Sequence, residues 1–326
     1  MQAKKDNKLF KFGGRLTEDF PSQLIIDITE VCNLACVHCP HPEFKISKNY
    51  ARRFLPIELN KKMVDEVRRD GQSCQYIRYT SNGEPLVHPK GYEMIQYAVD
   101  HSRTFVCLTT NGTIMKEKKT KQLLSTGVHM IDISIDAFSK DTYSKIRVNG
   151  DLDVTRENVL ALLKWVRETN SKTKVIVSFV EQPQNTTEIE DFKTFWEEAG
   201  AYKAVIRRLH SAAGSVDSIK NQLENTTKKR YPCLYPWERL TLDPRGELAF
   251  CPTDWGYNSV VTKFEDCTIK ETWESAFMKE LREAHLKNNF SCHKFCGQCP
   301  DWQQTRWPDQ EGVSYADLVQ ELKNET

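Results

Sequence analysis

Cys32, Cys36 and Cys39 fall within one short stretch, spaced Cys-x3-Cys-x2-Cys. Thiolate is a soft ligand, suited to zinc, copper(I) or iron–sulfur clusters. A tetrahedral zinc site wants a fourth donor. His38 lies between two of the cysteines and reaches a shared ion only through an awkward loop reversal. On a four-iron cube the same three thiolates leave one iron without a protein ligand. An open metal position of that kind can bind and activate a small molecule. A second set follows, Cys233, Cys251, Cys292, Cys296 and Cys299, ending beside Pro300. Its compact Cys-x3-Cys-x2-Cys run is iron–sulfur-like in spacing, and four of the five cysteines would also satisfy zinc. Cys74 and Cys107 sit in strand contexts and read as buried fillers; Cys267 is isolated.

The bulk numbers narrow the setting. A chain of 326 residues has room for a large domain and a smaller one. Its net charge of +1, with 28% charged residues, sets up no field towards nucleic acid or anionic lipid. The runs Lys116–Lys121 and Lys228–Arg230 are short and read as solvated faces, so no nucleic-acid partner is expected. Mean hydropathy is −0.59, and no apolar run approaches membrane-spanning length. The Lys-rich start lacks the apolar segment of a signal peptide. The expectation is a cytoplasmic protein with no membrane partner. In that compartment 11 cysteines point to metal or redox chemistry rather than disulfides.

The elements that must position the cysteines alternate. Leu24–Ile28 reads as a buried strand ending just before the first cysteine loop. A polar loop over 41–55 leads to a helix near Pro56–Arg69. Strands at Tyr76–Tyr79, Thr104–Thr109, Met130–Ile135, Lys174–Val180 and Ala204–Leu209 follow. Helical patterns separate them: Tyr92–His101, Lys116–Ser125, Lys140–Ile146 with Asp153–Thr169, and Thr187–Ala199. Such alternation implies an α/β fold with a parallel sheet. No dinucleotide-type glycine fingerprint follows the first strand, which disfavours an ordinary Rossmann unit. In parallel barrels the chemistry sits at the C-terminal strand ends, where the first cysteine loop falls. Near the second cysteine set, two short β runs around Asp243-Pro244-Arg245-Gly246 predict a hairpin, and Lys270–Leu286 predicts one amphipathic helix.

The first cysteine stretch resembles the radical S-adenosylmethionine (radical SAM) family, whose signature is Cys-x3-Cys-x-aromatic-Cys; here His38 takes the aromatic position. The resemblance implies a partial (β/α)6 parallel barrel. It also implies that Cys32, Cys36 and Cys39 hold a [4Fe–4S] cluster whose open iron chelates S-adenosylmethionine (SAM). The released 5′-deoxyadenosyl radical then abstracts hydrogen. Thr80-Ser81-Asn82-Gly83-Glu84-Pro85 resembles the family's Gly-Gly-Glu-Pro turn, with Asn82 replacing the first glycine. It implies Gly83 and Glu84 as partners of the methionyl ammonium. Thr109 and Asn111 in Thr109-Thr110-Asn111-Gly112 are similar to a family turn lining the cofactor pocket. Ser134 and Arg147 look like the family's strand-four serine and downstream arginine, implying contacts to the ribose or carboxylate. After strand six, Arg207 and Arg208 face opposite sides, and His210 shares the side of Arg208. Arg208 and His210 are the candidates for the barrel lumen, facing an anionic or hydroxyl-rich substrate.

The second set resembles the auxiliary-cluster domains called SPASM or, when shortened, twitch. The match runs from Cys233 to about Pro300 and includes Gly-x4-Cys from Gly246 to Cys251. The full pattern has seven cysteines and two clusters; with five here, one auxiliary [4Fe–4S] cluster on Cys233, Cys251, Cys296 and Cys299 is the better count. Cys292 is left over, able to ligate, stay inert or donate a hydrogen atom. The implied organisation is an extension (1–22), a barrel (23–210), a linker (211–230), a small α+β cluster domain of hairpin plus helix (231–301) and a tail (302–326). The tail holds a short helix near Tyr315–Leu322 packing back on that small domain.

The resemblance to twitch-type dehydrogenases and sulfatase-maturing enzymes implies oxidation of an alcohol carbon to a carbonyl, the auxiliary cluster accepting an electron. A sugar, aminocyclitol or nucleotide-sugar is the preferred substrate, since the 31 residues before Cys32 are too few for a peptide-leader domain. A flavodoxin or ferredoxin type reductant would supply the first electron. His210, Asp254 and Glu181 are candidate bases. The alternatives are epimerisation with Cys292 or Cys267 as hydrogen donor, peptide modification, and a non-catalytic scaffold with two zinc sites.

Overall fold

The computed structural model describes residues 19–223, 230–304 and 315–324. Their strands form one nine-stranded sheet in the order β6-β5-β4-β3-β2-β1-β7-β8-β9. Strands β1 (Gln23–Ile26), β2 (Tyr76–Tyr79), β3 (Phe105–Thr110), β4 (Met130–Ser134), β5 (Lys174–Glu181) and β6 (Lys203–Arg208) pair in parallel, each with the next. Helices connect them: α1 (His41–Ile46), α2 (Ile57–Asp70), α3 (Gly91–His101), α4 (Glu117–Ser125), α5 (Lys140–Ile146), α6 (Leu152–Glu168) and α7 (Ile189–Glu198). Local chemistry starts two of them. Ser139 accepts a hydrogen bond from the Thr142 N–H to cap α5, and Asp151 accepts two to cap α6. The helix α1 lies within the predicted loop over 41–55; Pro42 occupies its first turn, where a missing N–H costs nothing.

Alternation along each strand separates two faces. Leu24, Ile77, Val106, Ile131 and Val177 point outward into the core beneath the helices. Ile25, Tyr76, Cys107, Met130, Ile176 and Val205 point inward. The inner face is apolar at its lower end, and the last helix fills it. Tyr315, Leu318, Val319 and Leu322, at i, i+3, i+4 and i+7 of α13 (Tyr315–Asn324), are buried there. The Lys323 ammonium donates to the Gln75 carbonyl at 2.6 Å. The Arg78 guanidinium lies 3.7 Å above the Tyr315 ring. The tail helix therefore packs in the barrel rather than on the small domain. The barrel's unfilled apolar interior matches its stripe.

The segment after the barrel is not a bare linker. Ser211 and Ala213 donate backbone N–H groups to Asp301 at 2.8 and 2.6 Å, and α8 (Asp217–Leu223) follows. Residues 224–229, like the extension through residue 18, lie outside the described residues. A short helix α9 (Tyr235–Glu238) leads into β7 (Arg239–Leu242), which pairs in parallel with β1. The barrel sheet thus continues into the second region. The predicted hairpin is present as β7 and β8 (Glu247–Ala249), and β9 (Val260–Lys263) adds to it. Gly246 closes its turn at φ +79°, and a Cβ there would stand 2.6 Å from Leu59. The predicted single helix over 270–286 is two, α10 (Ile269–Glu274) and α11 (Ala276–Lys287). Ser275 ends the first and caps the second by accepting from the Met278 N–H. A short α12 (Lys294–Gln298) carries Cys296.

Candidate active site

The first cysteine loop lies over the C-terminal ends of the strands, between β1 and α1. Its backbone is tied across the barrel mouth: Ala35 N–H donates to Val148 O and Val37 N–H to Ile146 O, both at 3.0 Å. Cys32, Cys36 and Cys39 line one cavity of about 350 Å³. His38, Gly83, Glu84, Thr109, Asn111, Ser134, Arg147 and His210 line the same cavity. Residues from five strand ends, read one by one from the sequence, therefore converge.

Glu84 organises the middle of this site. Its carboxylate accepts hydrogen bonds from Thr110 Oγ1 at 2.7 Å, Asn111 N–H at 2.8 Å and Leu86 N–H at 3.1 Å. Asn111 in turn donates to Asn33 Oδ1 at 2.9 Å, linking the turn to the cysteine loop. Burial pushes the Glu84 carboxyl up, against the pull of these donors. Gly83 is required by contact: a Cβ there would lie 2.1 Å from the Thr29 carbonyl oxygen. Ser81, held at φ +127°, donates to Pro252 O at 2.8 Å and so joins this turn to the second region.

Arg147 is committed within the protein. Its Nη2 pairs with Asp136 Oδ2 at 2.5 Å, and its Nη1 points at Cys36 Sγ at 3.6 Å. Asp136, given no role by sequence reasoning, also accepts from Val180 N–H and lies 3.6 Å from His38 Nε2. Burial lowers His38 to about 4, so its imidazole is neutral beside the cysteines at neutral pH. Burial raises the Cys32 and Cys39 thiols to about 12, so loading a metal there must displace their protons.

Two sequence candidates stand elsewhere. Arg208 is exposed, on the outward face of β6. Arg207 takes the inner side, donating to Ser178 Oγ at 3.0 Å and Asp132 at 2.8 Å, because Val205 sets the inward phase of that strand. Cys292 is exposed and borders neither the main cavity nor the second cysteine hollow. Of the three candidate bases, His210 borders the cavity. Glu181 is exposed, and Asp254 is engaged by Gly256 and Ser259 N–H groups in its own turn. Sequence reasoning also passed over Arg78, Tyr235, Arg239 and Trp255 on the cavity wall; the long-range pairing of β7 with β1 brings Tyr235 and Arg239 there.

Cys233, Cys251, Cys296 and Cys299 border one smaller hollow, walled by Phe250, Phe295 and Trp302. Burial raises the Cys251 thiol to about 12 and pushes Cys296 and Cys299 up as well. Among the described residues no three His, Cys, Asp or Glu side chains converge as around a single metal ion; a four-iron cube spaces its thiolates more widely. Tyr235 and Thr253 wall both spaces, and Thr253 Oγ1 lies 3.3 Å from Cys251 Sγ.

The radical SAM superfamily profile matches residues 26–195. This chain belongs to the radical SAM superfamily. A second profile, an iron–sulfur cluster-binding domain termed SPASM, matches residues 233–300. Together these two domains imply [4Fe–4S] clusters and bound SAM in this radical SAM protein. The chain is 26% identical over 219 residues to the mycofactocin maturase MftC of Mycolicibacterium smegmatis, covering 67% of this chain and 52% of that protein. It is 27% identical over 212 residues to a probable GTP 3′,8-cyclase of Methanocaldococcus jannaschii, covering 63% and 67%. The chain thus spans about half the length of the maturase it matches. Its fold is similar to that of BtrN crystallised with AdoMet and 2-DOIA, at a TM-score of 0.57 and 15% identity, covering 87% and 94% of the two chains. Streptococcus suis SuiB bound to its precursor peptide SuiA gives a TM-score of 0.63 at 14% identity, covering 98% and 76%. The donor chemistry fits the implied groups: three soft ligands line a roomy cavity of mixed lining, and four line a smaller, mostly apolar one. Among the described residues no helix is long and apolar enough to cross a membrane.

Proposed function

We propose that this radical SAM enzyme oxidises an alcohol carbon of a small hydroxylated substrate, a sugar, aminocyclitol or nucleotide-sugar, to a carbonyl. The observation that carries the reading is the wall of Tyr235 and Thr253 shared by the two cysteine sites. In this reading Cys32, Cys36 and Cys39 hold the first cluster, and Cys233, Cys251, Cys296 and Cys299 hold one auxiliary cluster. When bound, these groups supply a 5′-deoxyadenosyl radical at the first site and an electron acceptor at the second.

The remaining chemistry belongs to the chain. The oxidation would balance as one hydrogen atom from the substrate carbon, one proton from its hydroxyl and one electron, with the hydrogen and electron acceptors supplied by the groups that Cys32, Cys36, Cys39 and Cys233, Cys251, Cys296, Cys299 would hold. A C=O bond remains. His210 takes the proton, as the candidate base that reaches the cavity. Trp255 offers an aromatic wall to a ring substrate, and Arg239, stacked 4.0 Å above the Tyr235 ring, offers its unpartnered Nε to an oxygen, whereas Arg78 is held by Thr109 Oγ1 and Asp132. Ser134, Thr109 and Asn111 line the cofactor half. Arg147, already paired with Asp136, holds the cysteine loop rather than the SAM carboxylate. Epimerisation is disfavoured because Cys292 and Cys267 border neither space.

Peptide modification is the second reading, favoured by the likeness to a maturase and to a peptide-bound structure. A flavodoxin or ferredoxin type reductant and a cytoplasmic location complete the proposal. The test is anaerobic incubation with SAM, a reductant and a panel of sugars, aminocyclitols and peptides in deuterated water. One substrate losing two mass units per deoxyadenosine supports oxidation, and its class decides between the readings. A substrate gaining one mass unit would contradict oxidation.

A further inference from the structure

The hollow that gathers Cys233, Cys251, Cys296 and Cys299 is also bordered by His285 and Arg230, each holding a buried nitrogen donor with no acceptor. His285 is 3% exposed and borders the hollow. Its Nδ1 faces the backbone N–H of Cys233 at 3.3 Å, so Nδ1 is the accepting nitrogen. A neutral imidazole whose Nδ1 accepts carries its hydrogen on Nε2. That Nε2 is buried without a partner. Phe290 holds the ring edge to face at 4.9 Å. Arg230 borders the same hollow. Its terminal nitrogens donate to the Gly297 and Cys296 carbonyls at 2.8 and 2.5 Å, which fixes the guanidinium, and its Nε is also buried without a partner. Leaving a buried donor unmet costs about 1–3 kcal/mol. Two such donors on one hollow call for an acceptor inside it.

We infer that sulfur atoms of the auxiliary [4Fe–4S] cluster accept N–H hydrogen bonds from His285 Nε2 and Arg230 Nε, and that these bonds raise its reduction potential. The inference rests on the reading above that the four cysteines hold this cluster. It also assigns His285 as a positioning residue and not a ligand, since its Nε2 carries hydrogen. Hydrogen bonds to cluster sulfur stabilise the reduced, more negative state. That suits a cluster that must take an electron from a substrate.

The experiment uses the full chain with Cys32, Cys36 and Cys39 changed to Ala, so that only the auxiliary cluster is reconstituted. Redox titration followed by electron paramagnetic resonance gives its midpoint potential. Pulsed measurements on 15N-histidine-labelled protein, exchanged into deuterated water, give couplings to nitrogen and to exchangeable hydrogen. A histidine nitrogen coupling and an exchangeable deuteron coupling are expected in this parent. His285→Phe and Arg230→Met should each move the midpoint negative, by about tenfold in the one-electron equilibrium or about 59 mV. His285→Gln, which keeps an N–H, should recover most of the His285→Phe shift. An unlabelled-like spectrum in the parent, or an unchanged midpoint in both variants with iron retained, would overturn the hydrogen bonds while leaving the cluster in place. A parent that binds no iron would overturn the cluster assignment itself.

Discussion

The two cysteine sites use the same ligand chemistry in opposite settings. The first takes three cysteines from a single loop and places them in a cavity of about 350 Å³, lined by polar groups from several strand ends. The second takes four from three separate stretches and sets them around a smaller hollow that Phe250, Phe295 and Trp302 make mostly apolar. Three thiolates around about 350 Å³ leave room for a cofactor and a substrate. Four around a mostly apolar hollow of about 30 Å³ leave room for neither. Tyr235 and Thr253 border both spaces, and under the proposed function bonds would change at the first and an electron would pass to the second.

The contrast can be broken from the first side. Cys36→Ala should abolish deoxyadenosine formation, read by chromatography, while the auxiliary cluster's resonance persists. Loss of both would show that the sites are not independent. A smaller effect is expected at the pair that anchors the first loop. Asp136 is fully buried and Arg147 nearly so. Asp136→Asn strands that guanidinium and should cost about 3–5 kcal/mol in anaerobic chemical denaturation. A smaller loss is expected from Asp254→Asn, whose oxygens accept from the Gly256 and Ser259 N–H groups and from Asn258 Nδ2 and pair with no charge. Leu318→Ala opens the packing of α13 beneath the first cavity and should cost about 2–5 kcal/mol. It should leave the auxiliary cluster's spectrum unchanged.

The smallest effect concerns the loop that leads to Arg147. Burial works against the charge of Glu188, but hydrogen bonds from Ser139, Thr142 and the Phe138 N–H outweigh it and hold its carboxyl below the usual 4.5. A depressed folded value means that this stability is present above the unfolded value and is lost as pH falls through the folded one. Glu188→Gln should therefore flatten the acid-side slope below about pH 4.5 in thermal melts by the share that Glu188 contributes. At this partly exposed site the change is below about 1 kcal/mol.

What could be read from the chain alone follows the same divide. The first site was legible because its ligands are neighbours in sequence and its other parts recur at successive strand ends. The parallel sheet was legible because Ile25, Val106, Ile131 and Val177 sit in short apolar runs between helical patterns. The phase of β6 was not: Ala204 and Val205 are both apolar, so nothing local told Arg207 from Arg208. The break at Ser275 was hidden inside a continuous helical period, where only its capping bond to Met278 reveals it. The pairing of β7 with β1 joins residues more than two hundred positions apart, and no local signal announces it. For the same reason His285 was given no role, and Arg230 read as part of a solvated face although it borders the second hollow and donates to the Gly297 and Cys296 carbonyls. Each gains meaning only from what the fold sets beside it.

The central claim is that the second site receives what the first site releases. Cys251→Ala tests it most directly, assayed anaerobically for deoxyadenosine and for oxidised substrate in the same sample. Deoxyadenosine should continue to form while oxidised product disappears. Oxidised product formed at the parent's rate, with the auxiliary cluster absent by iron content and resonance, would contradict it.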